Sequence, residues 1–364
     1  MENFWETLPK PFFVLAPMAN VTDAAFRRII AKYGRPDVMY TEFVSADGLA
    51  LAHEEGRQKL LRDLEFTDAE RPIVAQFFTS TPEHMERAAA LAQELGFDGI
   101  DINMGCPDKS VEGQGAGSKL ILNPSLAVEL IEAAKRGAPN IPVSVKTRLG
   151  YNKDVLEEPA RPDGGWLPLL LKAEPAAIIL HARTRKEMSK VPARWERIKR
   201  AVEIRNELGS KTLIIGNGDV VDMDDARAKA AASGADGVMI GRAIFGNPWL
   251  FAREGGSVSG AKVWKPTAPL WALRRPEDFC GGNTAALPDE VIARLLVAVE
   301  HTKLYEELLS DIKSFAIMKK HFKAYVEGFP GAKELRVRLM ETTNAQEVEK
   351  IIYDFLAVPY TSSI

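Results

Sequence analysis

The sequence predicts an α/β protein, a (β/α)8 TIM barrel followed by a small C-terminal all-helical domain. Two observations carry this prediction. Eight short apolar runs rich in Val and Ile alternate with amphipathic stretches, and that many units over about 240 residues match the size of such a barrel. Beyond residue 288 the alternation is gone and apolar residues keep only a helical spacing. Runs that stay apolar along their length, with helices between them, belong to a parallel sheet covered by helices. A doubly wound open sheet is the alternative, and the lack of a GxGxxG after the first run argues against it.

In order, the strand-like runs are 12–18 (FFVLAPM), 38–43 (VMYTEF), 73–78 (IVAQFF), 99–104 (GIDINM), 142–148 (PVSVKTR), 177–183 (AIILHAR), 212–216 (TLIIG) and 237–241 (GVMIG). Helix-like segments at 82–95, 125–136, 195–208 and 223–233 lie between them. From 253 to 287 the pattern dissolves into GGSVSG, WKPTAPLW and RRPEDFCGGN, longer than an ordinary connection. The stretches 289–310, 311–327 and 344–357 carry apolar residues at helical spacing. The expected organisation is a barrel over 1–252, an irregular excursion over 253–287 and a helical domain over 288–364.

A chain of 364 residues, 46% of them hydrophobic, can bury a large core. Its net charge of −3 excludes a global electrostatic attraction to nucleic acid or anionic membrane, so any basic footprint must be local. The two cysteines, Cys106 and Cys280, form neither a CxxC pair nor a disulfide framework, which fits a reducing compartment. The start MENFWE has no basic and apolar leader, and no stretch approaches the roughly 18 apolar residues of a spanning helix. A soluble cytoplasmic protein is expected, with no membrane partner. No HExxH and no histidine–carboxylate cluster stands at ligand spacing, so no metal is expected.

Functional groups of a barrel gather at the C-terminal ends of its strands, and polar residues collect there in this chain. Ala16-Pro17-Met18 ends the first run, Gln76 interrupts the third, and Asn103 and Cys106 close the fourth. Lys146 and Arg148 close the fifth, and His181, Arg183 and Arg185 follow the sixth. Asn217-Gly218-Asp219 follows the seventh, Gly241-Arg242 the eighth. Each has a structural alternative: a buried thiol, a satisfied core amide, a hydrogen-bonded histidine, a solvated arginine face. Their convergence on one rim is what those alternatives do not predict. Cys106 stands in a shaped turn between Asn103, Gly105 and Pro107, beside the glycine-rich segment 113–119, which reads as a lid. Buried, Lys146 would need a partner or a ligand. Glycines 216, 218, 237 and 241, with Arg242 and the Asn247-Pro248-Trp249 helix start, resemble a phosphate grip. That grip with Lys146, His181 and Gln76 fits FMN, although it does not by itself specify a flavin.

These residues resemble the tRNA-dihydrouridine synthase family. The stretches that carry the resemblance are APMANVTDAAFRR (16–28), TEFVSADGL (41–49), DINMGCPDKSVEGQGAGSKLILNP (101–124), VSVKTRLG (143–150), HARTRKEM (181–188), NGDV (217–220) and GADGVMIGRAIFGNPWLF (234–251), resuming in MKKHFKAYVEGFPGAKELR (318–336). The resemblance implies FMN at the barrel mouth, NADPH as its reductant and a uridine of folded tRNA as substrate. By position it implies backbone contacts to the flavin from Pro17 and Met18, a bond to its ring from Gln76, Lys146 at its pyrimidine side and His181 near the ring. It assigns the ribityl phosphate to Asn217, Gly218, Asp219, Gly241 and Arg242, the uracil to Asn103 and Arg183, and the general acid to Cys106. Two departures are the segment KEMSKVPARWE after the HARTR stretch and the long 253–287 excursion.

Reduction of a uracil C5–C6 bond takes a hydride at C6 and a proton at C5. A thiol of ordinary pKa, about 8.5, is still protonated at neutral pH and can supply that proton. A stacked uridine must be drawn out of folded RNA, which calls for a local basic grip. Lys319, Lys320, Lys323 and Arg336, with Lys313, Lys333 and Arg338, make the tail basic, and Phe322 and Tyr325 lie among them. They read as an RNA-backbone platform or as a helix's solvated face. Alternative readings are an FMN barrel acting on a free pyrimidine or on ribosomal RNA uridine, and a flavin-free phosphate-binding barrel. A monomer is expected.

Overall fold

The computed structural model describes residues 3–158, 160, 164–252 and 287–357. Its strands are β1 (Phe12–Leu15), β2 (Met39–Ser45), β3 (Ile73–Phe78), β4 (Gly99–Asn103), β5 (Val143–Arg148), β6 (Ala177–His181), β7 (Leu213–Asn217) and β8 (Gly237–Ile240). All pair in parallel, in the order β1-β8-β7-β6-β5-β4-β3-β2. A parallel bridge between Val14 and Val38, with Leu15 N–H donating to the Val38 carbonyl at 3.0 Å, joins the two ends of that order. The predicted (β/α)8 barrel is the observed one. Strand β1 is shorter than the run that signalled it. Proline at 17 has no N–H for the ladder, and Met18 instead opens a turn, its carbonyl accepting from Val21 and Thr22 N–H at 3.1 and 3.0 Å.

Side chains alternate across a strand, so every second residue points into the barrel. The inward residues at the lower end are apolar: Phe12, Val14, Tyr40, Val74, Ile179, Ile215 and Met239 form one buried cluster, joined by Trp5 from the helix Phe4–Thr7. The same parity continued upward gives Gln76, Asp101, Asn103, Ser144, Lys146, Arg148, His181 and Asn217. A dry floor therefore lies beneath a polar lip, and Gln76, Asn103, Lys146, His181 and Asn217, all expected to be functional, are of inward parity near the strands' C-terminal ends.

The expected helices between strands are Pro82–Glu94, Pro124–Gly137, Trp195–Glu207 and Met223–Ser233. Helix Trp166–Lys172, reading WLPLLLK, buries Trp166, Leu167, Pro168, Leu170 and Leu171, so it has no polar face for periodicity to detect. Residues 253–286, nearly all of the expected excursion, and Cys280 with them, lie outside the described residues.

Two compact units emerge, Met1–Asp23 with Pro36–Ala243 and Ala24–Arg35 with Ile244–Ile364. The amphipathic helix Ala24–Tyr33 puts Ala25 and Ile29 into the core of the second unit, with Leu295, Ala298 and Phe322. That unit further contains the helices Asp289–Leu309, Met318–Tyr325, Ala332–Glu341 and Ala345–Ala357. Ala332–Glu341 was not expected; it starts after Gly331, which takes a left-handed φ of 80°. The helix expected over 311–327 forms only from Met318, after a 3-10 turn capped by the Ser314 side chain.

The same unit holds two buried histidines edge to face, ring centroids 4.6 Å apart. His301 Nδ1 meets the Tyr325 hydroxyl at 3.3 Å, and among the described residues neither Nε2 has a hydrogen-bond partner. Burial, with a further push from His321, holds His301 well below the usual histidine range; burial and then the Lys320 charge bring His321 to about 3. The unfolded chain binds these protons near pH 6.5, so protons favour unfolding. Stability should fall as pH drops below about 6.5, by about 1.4 kcal/mol per pH unit for each histidine, until the folded values are reached. Urea midpoints at stepped pH should show the slope, and His321→Phe should flatten it; an unchanged slope would assign the proton uptake to other groups.

Candidate active site at the barrel mouth

Cys106 is held from three sides. Its own turn is set by Asn103, whose Oδ1 accepts from Gly105 N–H at 3.1 Å and Cys106 N–H at 2.9 Å. Strand β5 grips the same turn: Met104 N–H donates to the Lys146 carbonyl at 2.8 Å, Thr147 Oγ1 to the Met104 carbonyl at 3.1 Å, and Arg148 Nε to the Gly105 carbonyl at 2.7 Å. From the other side Ser118 N–H donates to the Cys106 carbonyl at 2.9 Å. Gly117 makes that approach possible, because a Cβ there would stand 2.7 Å from the Cys106 oxygen, and its φ is 62°. The 113–119 segment, expected as a moving lid, is thus docked. Ala116, Gly117 and Ser118 are buried, and Ser118 Oγ donates to Glu112 at 2.7 Å.

The thiol itself packs with Phe78, Val111 and Ala116. Burial raises its pKa, and Asp108 adds to the rise, against Lys146, Arg148 and a backbone hydrogen bond. It is accordingly a protonated thiol at neutral pH and not a thiolate nucleophile.

Beneath it runs a buried polar chain that the sequence reading missed at its centre. Asp101, fully buried, accepts from Gln76 Nε2 and Ser144 Oγ, each at 2.7 Å. Ser144 Oγ also meets the Tyr40 hydroxyl at 3.3 Å, and Gln76 Oε1 accepts from Asn103 Nδ2 at 3.0 Å. Burial raises Asp101 to about 7 against the opposing pull of those bonds and of Lys146. Lys146 is lowered to about 8, first by burial and then by Arg148, with Asp101 and Cys106 opposing. Among the described residues no carboxylate hydrogen-bonds the Lys146 ammonium.

His181 is kept neutral, well below its usual range, by burial and then by Arg148, Lys146, Arg183 and Arg242. Arg183 Nη1 lies 3.3 Å from His181 Nε2; a guanidinium only donates, so Nε2 is the accepting nitrogen. Arg183, expected to address a substrate, is only 3% exposed. Its Nε donates to the Val191 carbonyl at 2.6 Å and its Nη2 pairs with Asp219. Asp219, expected to hold a phosphate, instead accepts from Arg183, from Ala193 N–H at 2.8 Å and from Arg242 at 2.9 Å. The Asp219 carboxylate thus ties the two arginines to one point.

The glycines divide. Those at 216 and 237 make room for protein, not ligand: a Cβ at Gly216 would strike the Trp195 ring, and one at Gly237 the Phe12 ring at 2.5 Å. Gly218 and Asp219 take φ of 128° and 47°, and Trp195 Nε1 pins their turn through the Gly218 carbonyl at 2.8 Å. Asn217 Nδ2 ties this strand end to the Met239 carbonyl at 2.9 Å. Gly241 lies against Ala16 and the Met18 sulfur. Arg242 is 68% exposed, and its bond to Asp219 uses one arm, so further N–H donors remain for an anion. Met18 N–H is taken by Thr22 Oγ1 at 2.9 Å, and Pro17 and Met18 are partly buried.

The loops after β4, β5 and β6 are laced together. Arg185 Nε donates to Glu112 at 2.8 Å and its guanidinium lies over the Tyr151 ring. Arg185 and Lys186 N–H donate to the Gly150 and Tyr151 carbonyls at 2.8 and 2.9 Å.

On the helical unit, Lys320 and Lys323 are exposed, whereas Lys319 and Arg336 are partly buried. Lys323, Lys333, Arg336, Val337, Met340 and Glu341 line an open depression of about 490 Å³. Phe322 and Tyr325 do not join the lysines: they are 0% and 1% exposed, within the core. Among the described residues no helix is long and apolar enough to cross a membrane, and no His/Cys/Asp/Glu group is placed to hold a metal.

Residues 14–358 match the model of a family described as dihydrouridine synthase. The chain is 40% identical over 354 residues to a probable tRNA-dihydrouridine synthase 2 of Bacillus subtilis (strain 168), covering 97% of both. It is 39% identical over 357 residues to a probable tRNA-dihydrouridine synthase of Staphylococcus epidermidis, covering 98% of this chain and 97% of that one.

Proposed function

This chain belongs to the dihydrouridine synthase family, and we propose that it reduces uridine to 5,6-dihydrouridine in tRNA, with FMN, with NADPH as electron donor and with Cys106 as the general acid. The observation that carries the reading is a thiol whose turn is fixed at the barrel mouth by Asn103, Arg148 and Ser118, within the field of Lys146 and Arg148. An acid for C5 must hold its proton at neutral pH and tolerate losing it. Burial does the first, and the two cations do the second by stabilising the thiolate left behind.

The residues fit a flavin phosphate. Arg242 offers open donors beside the left-handed Gly218–Asp219 turn, Gly241 lies near them, and Asn217 anchors the strand end. Lys146 supplies a cation with no bonded carboxylate, suited to an anionic ring edge, and neutral His181 adds no second charge beside it. When bound, FMN supplies the hydride for uracil C6, drawn from NADPH. Gln76 is assigned to the flavin ring and Asn103 to the uracil, each through the second N–H that its bond within the buried chain leaves over. Arg183 acts by fixing His181 and Asp219, not by touching substrate. Proton and hydride together add two hydrogens, and the thiolate recovers its proton from solvent.

Lys319, Lys320, Lys323 and Arg336, around the basic depression, are assigned to the RNA backbone, with affinity that falls steeply with salt. Mass spectrometry of nucleosides from unmodified tRNA, incubated with the protein, FMN and NADPH, tests the reading. The mass gain of two hydrogens on uridine is expected. A gain confined to ribosomal RNA or free uridine would move the substrate, and no gain with NADPH still consumed would overturn it.

A further inference from the structure

We propose that Asp101 is a positioning residue for Cys106: its carboxyl is the accepting end of a hydrogen-bonded chain through Gln76 and Asn103 that decides which way both carboxamides face. The inference deepens the function proposed above and rests on Cys106 being its acid. The orientations follow from chemistry at both ends. Backbone N–H groups only donate, so Gly105 and Cys106 require the oxygen of Asn103. Asn103 then shows its NH2 to Gln76, which must answer with its oxygen and so turn its own NH2 onto Asp101. The Asp101 oxygen that faces Gln76 accepts there, and its other oxygen is turned to Ser144. Ser144 and Tyr40 complete its other side.

Each member of the chain is buried, so a reversed amide would face donor with donor and leave an unsatisfied group inside the barrel. Removing Asp101 frees Gln76 to turn, then Asn103, and the Cys106 turn loses the two bonds that shape it. A thiol whose turn loosens meets water, its pKa falls and it reacts faster.

The test is the rate of iodoacetamide alkylation of Cys106, followed across the pH range of thiol ionisation in a full-length Cys280→Ser background. Asp101→Ala should alkylate about tenfold faster at neutral pH, the equivalent of a one-unit fall in thiol pKa. Gln76→Met, which cuts the chain one link further on, should match it. Asp101→Asn still offers an oxygen to Gln76 and an NH2 to the Ser144 oxygen, and should stay within about twofold of the parent. Thermal melts establish that each variant folds; if Asp101→Ala does not, Gln76→Met against Asp101→Asn decides. Parent-like rates in Asp101→Ala and Gln76→Met would overturn the proposal. So would Asp101→Asn as fast as Asp101→Ala, because the lost charge beside Lys146 would then be the whole effect. A wild-type protein that reduces no uridine would remove the functional reading and leave this thiol measurement standing.

Discussion

Cys106→Ala should keep its flavin and lose uridine reduction by about 10²–10⁴-fold, the usual share of a positioned general acid. The turn around Cys106 is held by backbone groups and by the Asn103, Thr147 and Arg148 side chains, none of which needs the thiol, so the loss should be chemical and not structural. Single-turnover reduction of RNA, with flavin content read from absorbance, separates the two. Because burial raises the thiol pKa, wild-type activity should persist past the ordinary thiol value near 8.5 and fall only above it. Normal single-turnover rates in the alanine variant would take the acid role from Cys106.

Lys146→Met should weaken FMN binding by about 10–100-fold, the worth of one hydrogen bond to a charged group, about 1.5–3 kcal/mol. The sign of the pH effect follows from its lowered pKa. A ligand that prefers the ammonium binds best below about 8 and loses affinity as pH rises through that value. Fluorescence titration of FMN at stepped pH should show this decline in the wild type and a flat profile in Lys146→Met. Equal affinities for both proteins at pH 7 would mean that the ammonium faces something other than the flavin.

The barrel was legible because parallel strands are buried on both faces and so appear as nearly continuous apolar runs, IVAQFF and AIILH among them. The rim residues were legible because polar groups at the ends of such runs have few structural reasons to be there. Asp101 was harder: it sits between Ile100 and Ile102 and is absorbed into the run, although its inward parity with Asn103 was the available signal. Phe322 and Tyr325 misled because composition mixes two faces of one helix. With Met318 they form a stripe at helical spacing that enters the core, while Lys319, Lys320 and Lys323 fall outside it. Which core claims the helix Ala24–Tyr33 is a tertiary fact that periodicity cannot carry.

The lacing of the loops after β4, β5 and β6 has a kinetic meaning. Glu112 touches Ser118 and Arg185, Arg148 reaches back to Gly105, and Arg183 receives Leu149 N–H at its carbonyl. No one of these segments can lift without breaking bonds to another, so their amides should exchange with solvent in a single cooperative opening. Any substrate that needs one of these loops displaced must meet the cost of all three, and a uridine small enough to enter without doing so is favoured on rate alone.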